Sequence, residues 1–210
     1  MQEVFKAKKA TVIFTAVFSL FAHAFLFTNE FFSHDSLGYA YSFSREFVTY
    51  YAGQGRFGIP LYELVKGNGA APWLIGILFM LWLSLSAIFV TDMFRISSTM
   101  GAVFTGGLLC TNAALTLTGA TYIYCLDEYA FALFTVCAAV WTFGRGKWWP
   151  VIGIALIAVS LSIYQAYYTV AISLCLIAVI NRVLSDEDGM LIFGTKYIAF
   201  LVLGFVLYYV

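Results

Sequence analysis

Seven apolar stretches, separated by short polar segments, occupy most of this chain and restrict the folds it can adopt. A helix needs about 20 mostly apolar residues to cross a hydrocarbon core roughly 30 Å thick. Inside lipid the backbone must satisfy its own hydrogen bonds, as a helix does. The sequence therefore predicts an all-α, polytopic integral membrane protein with about seven transmembrane helices. The predicted spans are Ala10–Thr28, Trp73–Thr91, Gly101–Gly119, Tyr129–Phe143, Pro150–Ile163, Tyr167–Asn181 and Tyr197–Val210.

The composition excludes several other classes of protein. Of the 210 residues, 62% are hydrophobic and only 10% are charged, whereas a soluble domain has about 25% charged residues. The formal net charge is +0, so no overall positive field attracts a polyanion. The chain is therefore not a soluble enzyme, a disordered tail or a nucleic-acid-binding protein, and membrane lipids are its expected surroundings.

The placement of basic residues predicts the orientation in the membrane. With a cytoplasmic N-terminus, eight of the 11 Lys and Arg residues fall on the cytoplasmic side and three fall outside. This is the asymmetry that the positive-inside rule describes, and the opposite orientation would invert it. The cytoplasmic residues would be Lys6, Lys8, Lys9, Arg95, Arg145, Lys147, Arg182 and Lys196, and the outer ones Arg45, Arg56 and Lys66.

Residues 1–210 form one predicted transmembrane domain, and residues 29–72 form its long outer loop. Aromatic residues at helical spacing predict an amphipathic helix that lies in the membrane plane, with its aromatic side toward the acyl chains. A second short helix is predicted, with Pro60 at its first position, an apolar face, and Gly67 past its end. The aromatic residues are Phe43, Phe47, Tyr50 and Tyr51, and the apolar face comprises Leu61, Leu64 and Val65.

The last apolar run is short for a span, and no polar residue follows it. A terminal carboxylate in hydrocarbon is costly, so we expect the native chain to continue past Val210. The activity of residues 1–210 alone stays open.

Cysteine and histidine inside the apolar runs do not indicate a metal site or a disulfide framework. The four cysteines have no metal-ligand spacing, and buried small hydrophobes are the expected interpretation. His23 lies within the first predicted span, where an interhelical polar contact is expected rather than catalysis. The cysteines are Cys110, Cys125, Cys137 and Cys175.

Most of the remaining polar chemistry is predicted on the outer side. Glu30 and Asp35 closely follow the first span, at the outer rim of the bilayer, and are candidate site residues. The alternative is that Asp35 or Ser36 caps the in-plane helix while Glu30 meets water. Asp127 and Glu128 precede the fourth span, where they either face a cavity shared with Asp35 or form a solvated loop pair. Gln165, next to Tyr164, is the third outward polar position. The alternative to a site role for Gln165 is a hydrogen bond between helices.

The outer constellation suits an activated substrate that is already bound to the membrane. The chain has no P-loop or Rossmann cradle for a soluble nucleotide. A sugar on a polyprenyl phosphate has a leaving group that needs no strong acid, so one carboxylate base is sufficient. Arginine suits the phosphate, and glycine-flanked Arg56 is the best candidate, since Arg45 and Lys66 also fit headgroup snorkelling. No cofactor is required by the sequence, although a divalent cation is another way to hold the phosphate.

In order and spacing, these motifs resemble the type II O-antigen glucosyltransferases. The resemblance rests on the basic N-terminus and first span, His34-Asp35-Ser36, the in-plane helix, Gly55-Arg56-Phe57 and a second span, then Asp127 and Tyr164-Gln165-Ala166. It covers the N-terminal portion of such a protein. It implies an inverting hexosyltransferase of the membrane glycosyltransferase C superfamily, in the bacterial inner membrane.

The resemblance also implies substrates and residue roles. Glucose would pass from undecaprenyl-phosphate glucose to a sugar of lipid-linked O-antigen, which is destined for lipopolysaccharide, on the periplasmic side. Asp35 would be the catalytic base, with Glu30 in reserve, and Arg56 would meet the donor phosphate. Asp127 and Glu128 would line the acceptor site or bind a metal where one is used. Tyr164 and Gln165 would complete the substrate-binding residues.

Two other functions remain compatible with the sequence. A transporter or lipid-sugar flippase would use Asp127 and Glu128 as a proton or cation site, although such sites usually lie near the bilayer midplane. A non-catalytic membrane assembly protein is the other alternative. The acceptor sugar and the linkage are not encoded in any motif of the chain.

Overall fold

The computed structural model describes residues 2–29, 45–67, 71–185 and 189–210, and most of these residues are helical. No strand occurs in these ranges, which confirms the all-α prediction. The helices are α1 (Gln2–Thr28), α2 (Arg45–Gly53), α3 (Gly58–Lys66), α4 (Pro72–Met93), α5 (Thr99–Cys110), α6 (Ala113–Thr121), α7 (Leu126–Phe143), α8 (Trp149–Ile163), α9 (Tyr167–Leu184) and α10 (Met190–Tyr209).

Seven helical stretches of the described residues, which we call passes, correspond to the seven predicted spans. Six of the passes are long and apolar enough to cross a membrane, and α8 is a shorter apolar helix of 15 residues. Helices α5 and α6 form one pass, interrupted at Thr111 and Asn112. The interruption occurs where the Asn112 side chain accepts a hydrogen bond from the Leu115 N–H (3.0 Å) and starts a new helix.

Helix α7 is the centre of the bundle. In its candidate span 89% of the residues are buried, far more than in any other described span. Helices α4, α8 and α9 pack against α7, while α1 packs on α4 and α5, and α10 packs on α8. A polar contact supports this packing, since Ser160 Oγ donates a hydrogen bond to the Ala132 carbonyl (2.9 Å) between α8 and α7. Charged groups at the start of α7 are therefore placed inside the protein.

The two ends of the bundle differ in chemistry. At one end, which we call the loop end, α1 and α10 terminate, and α2 and α3 pack against the other helices. At the other, the basic end, the Asp92 carboxylate binds Lys8 and Arg145 and accepts a hydrogen bond from Trp141 Nε1 (2.7 Å). These contacts connect α1 and α4 with α7 and the turn that follows it. Asp92 is only partly buried, and two cations and an indole N–H stabilise its carboxylate there.

Two sequence predictions about the spans are confirmed. His23 makes an interhelical polar contact, since its Nε2 lies 2.9 Å from the Cys110 carbonyl oxygen and its ring packs edge-on against Phe79. All four cysteines are buried free thiols.

Both helices predicted in the first outer loop are present, with two corrections. Helix α3 begins at Gly58 rather than at Pro60, and it ends as predicted at Gly67, whose φ is 87°. Phe47 and Tyr51 of α2 pack against protein side chains rather than facing acyl chains. Tyr50 is the exposed aromatic residue of α2, and Phe43 lies outside the described residues.

Candidate functional site

The loop end brings together several residues that were singled out from the sequence. It contains α2, α3 and the turn between them, the first turn of α7, and the connection between α8 and α9. The predicted base Asp35 and its reserve Glu30 fall in residues 30–44, outside the described residues. Both flanks of that segment, the end of α1 and the start of α2, lie at the loop end.

The turn between α2 and α3 is held against α8–α10 by hydrogen bonds. The Tyr208 hydroxyl donates to the Gly55 carbonyl (2.9 Å), and Gln165 Nε2 donates to the Gln54 carbonyl (3.2 Å) and to the Tyr208 hydroxyl (3.1 Å). Phe57 stacks on the Tyr208 ring, with centroids 5.9 Å apart. Gln165 therefore makes hydrogen bonds of the kind given as the alternative to a site role, and they position this turn.

A glycine is required at position 55 for two reasons. Its φ of 73° lies in the left-handed region, which disfavours residues with a Cβ. A Cβ built there would also lie 2.2 Å from the Tyr208 hydroxyl oxygen. The close docking of the turn thus depends on this residue.

Arg56 is presented from the docked turn beside an aromatic stack. Its guanidinium carbon lies 5.4 Å from the centroid of the Tyr164 ring, within cation–π range. Tyr164 in turn stacks on Tyr129, with centroids 4.5 Å apart. The structure therefore places Arg56, Tyr164 and Gln165, predicted from separate motifs, around one position. A half-buried, stacked guanidinium is suited to hold a phosphate oxygen.

A second group of charges lies inside the loop end, around Lys66. Its ammonium forms an ion pair with Glu63 and lies 3.3 Å from Asp127 Oδ1 and 4.0 Å from Glu128 Oε1. The side chain of Lys66 is only 2% exposed, and those of Asp127 and Glu128 are fully buried. We call these four residues the lysine cluster. The burial of these side chains excludes two interpretations left open by the sequence: that Asp127 and Glu128 are a solvated loop pair, and that Lys66 snorkels to the headgroups.

The lysine cluster stabilises the charged form of its lysine. Burial alone would lower the pKa of Lys66, but the three carboxylates around it outweigh burial and raise that pKa above its ordinary value. Asp127 and Glu128 also lie in the first turn of α7, where the positive end of the helix dipole favours carboxylates. Asp127 Oδ2 makes no hydrogen bond to any described residue.

Helix α3 is amphipathic with its charged side turned toward the protein. Glu63 and Lys66 point inward to the lysine cluster, whereas Leu61, Leu64 and Val65 are 59%, 60% and 89% exposed. A helix in water shows the opposite arrangement. The inversion indicates that the medium outside α3 is hydrocarbon, where ionisable side chains face the protein interior.

Tyr62 and Tyr51 connect these groups. Trp82 Nε1 donates a hydrogen bond to the Tyr62 hydroxyl (2.9 Å), and burial together with the charge of Asp127 raises the pKa of Tyr62 above its ordinary value. Burial raises the pKa of Tyr51 as well, and its hydroxyl interacts electrostatically with both Glu128 and Arg56. Two neutral phenols therefore adjoin the lysine cluster, and one of them links it to the arginine.

Sequence reasoning missed Glu63, Tyr62 and Tyr51 as site residues. A signal for Glu63 was present, because it precedes Lys66 by one helical turn on the side opposite the apolar face of α3. Among the described residues, no group of three or more His, Cys, Asp or Glu side chains is arranged to hold a metal ion. In the lysine cluster the Lys66 ammonium, rather than a metal ion, is the cation bound by the three carboxylates.

Comparison with known protein families gives a match. The model of the family described as Glucosyl transferase GtrII matches residues 24–210, which includes the whole loop end. Neither the comparison with curated proteins nor the comparison with solved structures gives a match.

Proposed function

The chain belongs to the glucosyl transferase GtrII family, and from this premise we propose that it transfers glucose from a polyprenyl-phosphate donor to a lipid-linked O-antigen sugar at the periplasmic face. Family membership together with apolar spans supports a membrane glucosyltransferase. The observation that carries the finer proposal is the position of Arg56. It is a half-buried guanidinium on a docked turn, at the end of the bundle where α1 ends and α2 begins.

The proposed reaction inverts the anomeric centre in one displacement. A hydroxyl oxygen of the acceptor sugar attacks C1 of glucose while the bond from C1 to the phosphate oxygen breaks. The acceptor proton passes to the carboxylate of Asp35, with Glu30 in reserve, and the lipid phosphate leaves with the bonding electrons. Arg56 binds that phosphate through paired N–H donors, so it stabilises the charge that develops on the leaving group.

Asp127 and Glu128 have a more limited part in this proposal than the resemblance gave them. Both are fully buried and bound around Lys66, so we assign them first to positioning. They fix α3, and α3 follows directly on the turn that presents Arg56.

The test is glucosyl transfer by the native protein expressed from its complete reading frame. Asp35→Asn should abolish glucosylation of lipopolysaccharide while membrane insertion stays intact, because the amide accepts no proton. Glu30→Gln serves as the matched carboxylate-to-amide control and should retain transfer. Unchanged O-antigen modification in Asp35→Asn would remove Asp35 from the mechanism, and loss in Glu30→Gln alone would move the base to Glu30.

An assay on membrane vesicles that contain the native protein distinguishes glucosyl transfer from lipid flipping. Radiolabelled polyprenyl-phosphate glucose should yield a new glycosidic bond in sealed vesicles whose periplasmic face is accessible. Translocation of the labelled lipid without a new bond would contradict the proposal and favour transport.

A further inference from the structure

The Tyr208 side chain contacts both residues that flank Arg56 in the sequence. Its hydroxyl donates a hydrogen bond to the carbonyl of Gly55, the residue before the arginine (2.9 Å). Its ring stacks on Phe57, the residue after the arginine, with the two ring planes 12° apart. One side chain of α10 therefore holds the backbone on one side of Arg56 and the neighbouring ring on the other.

Gln165 fixes the direction in which the Tyr208 hydroxyl donates. Gln165 Nε2 donates to the Tyr208 hydroxyl oxygen (3.1 Å), while the proton of that hydroxyl is directed to the Gly55 carbonyl. A primary amide has two N–H donors, and Nε2 also donates to the Gln54 carbonyl (3.2 Å). Because the donors of Gln165 are used inside the protein, this residue acts on the turn rather than as a hydrogen-bond donor to a substrate.

Other elements hold the remaining parts of Arg56. Its backbone N–H donates to the carbonyl of Tyr51 in α2 (2.8 Å), and its guanidinium lies over the ring of Tyr164, which follows α8. Tyr208 adds a contact from α10, at a residue 153 positions away from Gly55 in the sequence. The arginine is thus placed by α2, by the connection after α8 and by α10 together.

The composition of the turn explains why it needs these contacts. Three of the six residues at positions 53–58 are glycine, which allows a backbone more conformations than any other residue does. An arginine on a freely moving turn binds a ligand weakly, because ordering the turn at the moment of binding costs free energy. Docking on Tyr208 orders the turn before the ligand arrives.

We propose that Tyr208 is a positioning residue for the donor phosphate and acts through Arg56. The inference rests on the proposed function, because it takes Arg56 as the ligand of that phosphate. Tyr208 keeps the turn, and with it the guanidinium, where the polyprenyl phosphate is bound. The donor site is then completed by α10, and Gln165 supports Tyr208 instead of binding the substrate.

The test is a double-mutant cycle on the binding of polyprenyl phosphate. Dissociation constants are measured for the native protein, expressed from its complete reading frame and purified in detergent. Tyr208→Phe removes one oxygen atom and keeps the ring that stacks on Phe57, so binding should weaken about fivefold, the usual effect of one hydrogen bond. Arg56→Gln should weaken binding further than this. Adding Tyr208→Phe to Arg56→Gln should cause no additional loss, because the two residues act as one unit.

Tyr209→Phe is the matched control for this cycle. It removes the same atom from the neighbouring tyrosine, which is 73% exposed, and it should bind polyprenyl phosphate as the native protein does. Native affinity in Tyr208→Phe, or the same loss with and without Arg56 as a general role in folding would give, overturns this inference alone. Native affinity in Arg56→Gln overturns the phosphate-binding role of Arg56 in the proposed function and this inference with it.

Discussion

At the scale of single residues, Lys66 shows how much a sequence leaves undecided. From the sequence it was either a snorkelling lysine or a phosphate ligand, because both suit a basic residue at a membrane surface. The structure instead buries it among three acids that come from α3 and from α7, about sixty residues later. No local pattern encodes that pairing, since it depends on how α3 packs against α7.

Removing the lysine should destabilise the fold strongly. Lys66→Met leaves buried carboxylates without their cation, an imbalance that typically costs about 3–5 kcal/mol. We expect a clear drop in the thermal unfolding midpoint of the detergent-purified protein. The same substitution at exposed Lys147 is the control and should change stability by no more than about 0.5 kcal/mol. Equal midpoints for the two variants would contradict this account of the lysine cluster.

The raised pKa of Lys66 fixes the sign of a pH effect. A group whose pKa is higher in the folded than in the unfolded protein contributes its full stabilisation below the unfolded value. That contribution is lost as the pH rises through the folded value. The stability difference between the native chain and Lys66→Met should therefore decrease as the pH rises above the ordinary lysine pKa and through the raised one. Unfolding midpoints measured at increasing alkaline pH would test this, and a difference that does not decrease there would contradict it.

At the scale of elements, the sequence predicted which stretches are helical and which face of each is apolar. It did not predict what that face contacts. Helix α3 was recognised with its apolar side correctly identified, yet its charged side packs inward. For helix α2 the prediction that its aromatic face meets acyl chains is wrong at Phe47 and Tyr51, which contact protein side chains. Periodicity gives the two faces of a helix, but only tertiary packing determines which medium each face meets.

The turn between α2 and α3 offers a matched pair of glycine substitutions. Gly55→Ala should displace the turn, because the residue has positive φ and its Cβ would meet the Tyr208 hydroxyl. We expect glucosyl transfer to decrease at least about tenfold, since misplacing a ligand by about 1 Å is costly. Gly53→Ala is the control, because a Cβ there has no neighbour within 4 Å. Equal activity of the two variants would show that docking of this turn does not position Arg56.

At the scale of the whole molecule, the sequence predicted the seven passes and grouped the site residues at one end. It located the apolar helices because span length can be read from the chain itself. It did not predict how the site divides into a docked turn with Arg56 and a buried lysine cluster. That division depends on contacts such as the one between Tyr208 and Gly55, which joins residues 153 positions apart in the sequence.

The predicted orientation can be tested with two engineered thiols. Gln54→Cys at the loop end should react with an impermeant maleimide in cells with a permeabilised outer membrane. Lys147→Cys at the basic end should react only after the inner membrane is opened. Both positions are exposed, and the four native thiols are buried, so background labelling should be low. The reverse pattern would place the loop end in the cytoplasm, away from any periplasmic acceptor.

The short helix α8 has a consequence for the surrounding bilayer. Its 15 residues cover about 22 Å at about 1.5 Å per residue, roughly 8 Å less than a typical hydrocarbon core. At its loop end, Gly58 of α3 rests on Ser162 and Ile163, so α3 fills the missing depth and its leucines meet acyl chains. We therefore expect the polar groups beside α3 to be recessed beneath the neighbouring headgroups, where the proposed isoprenoid donor would present its phosphate without leaving the membrane.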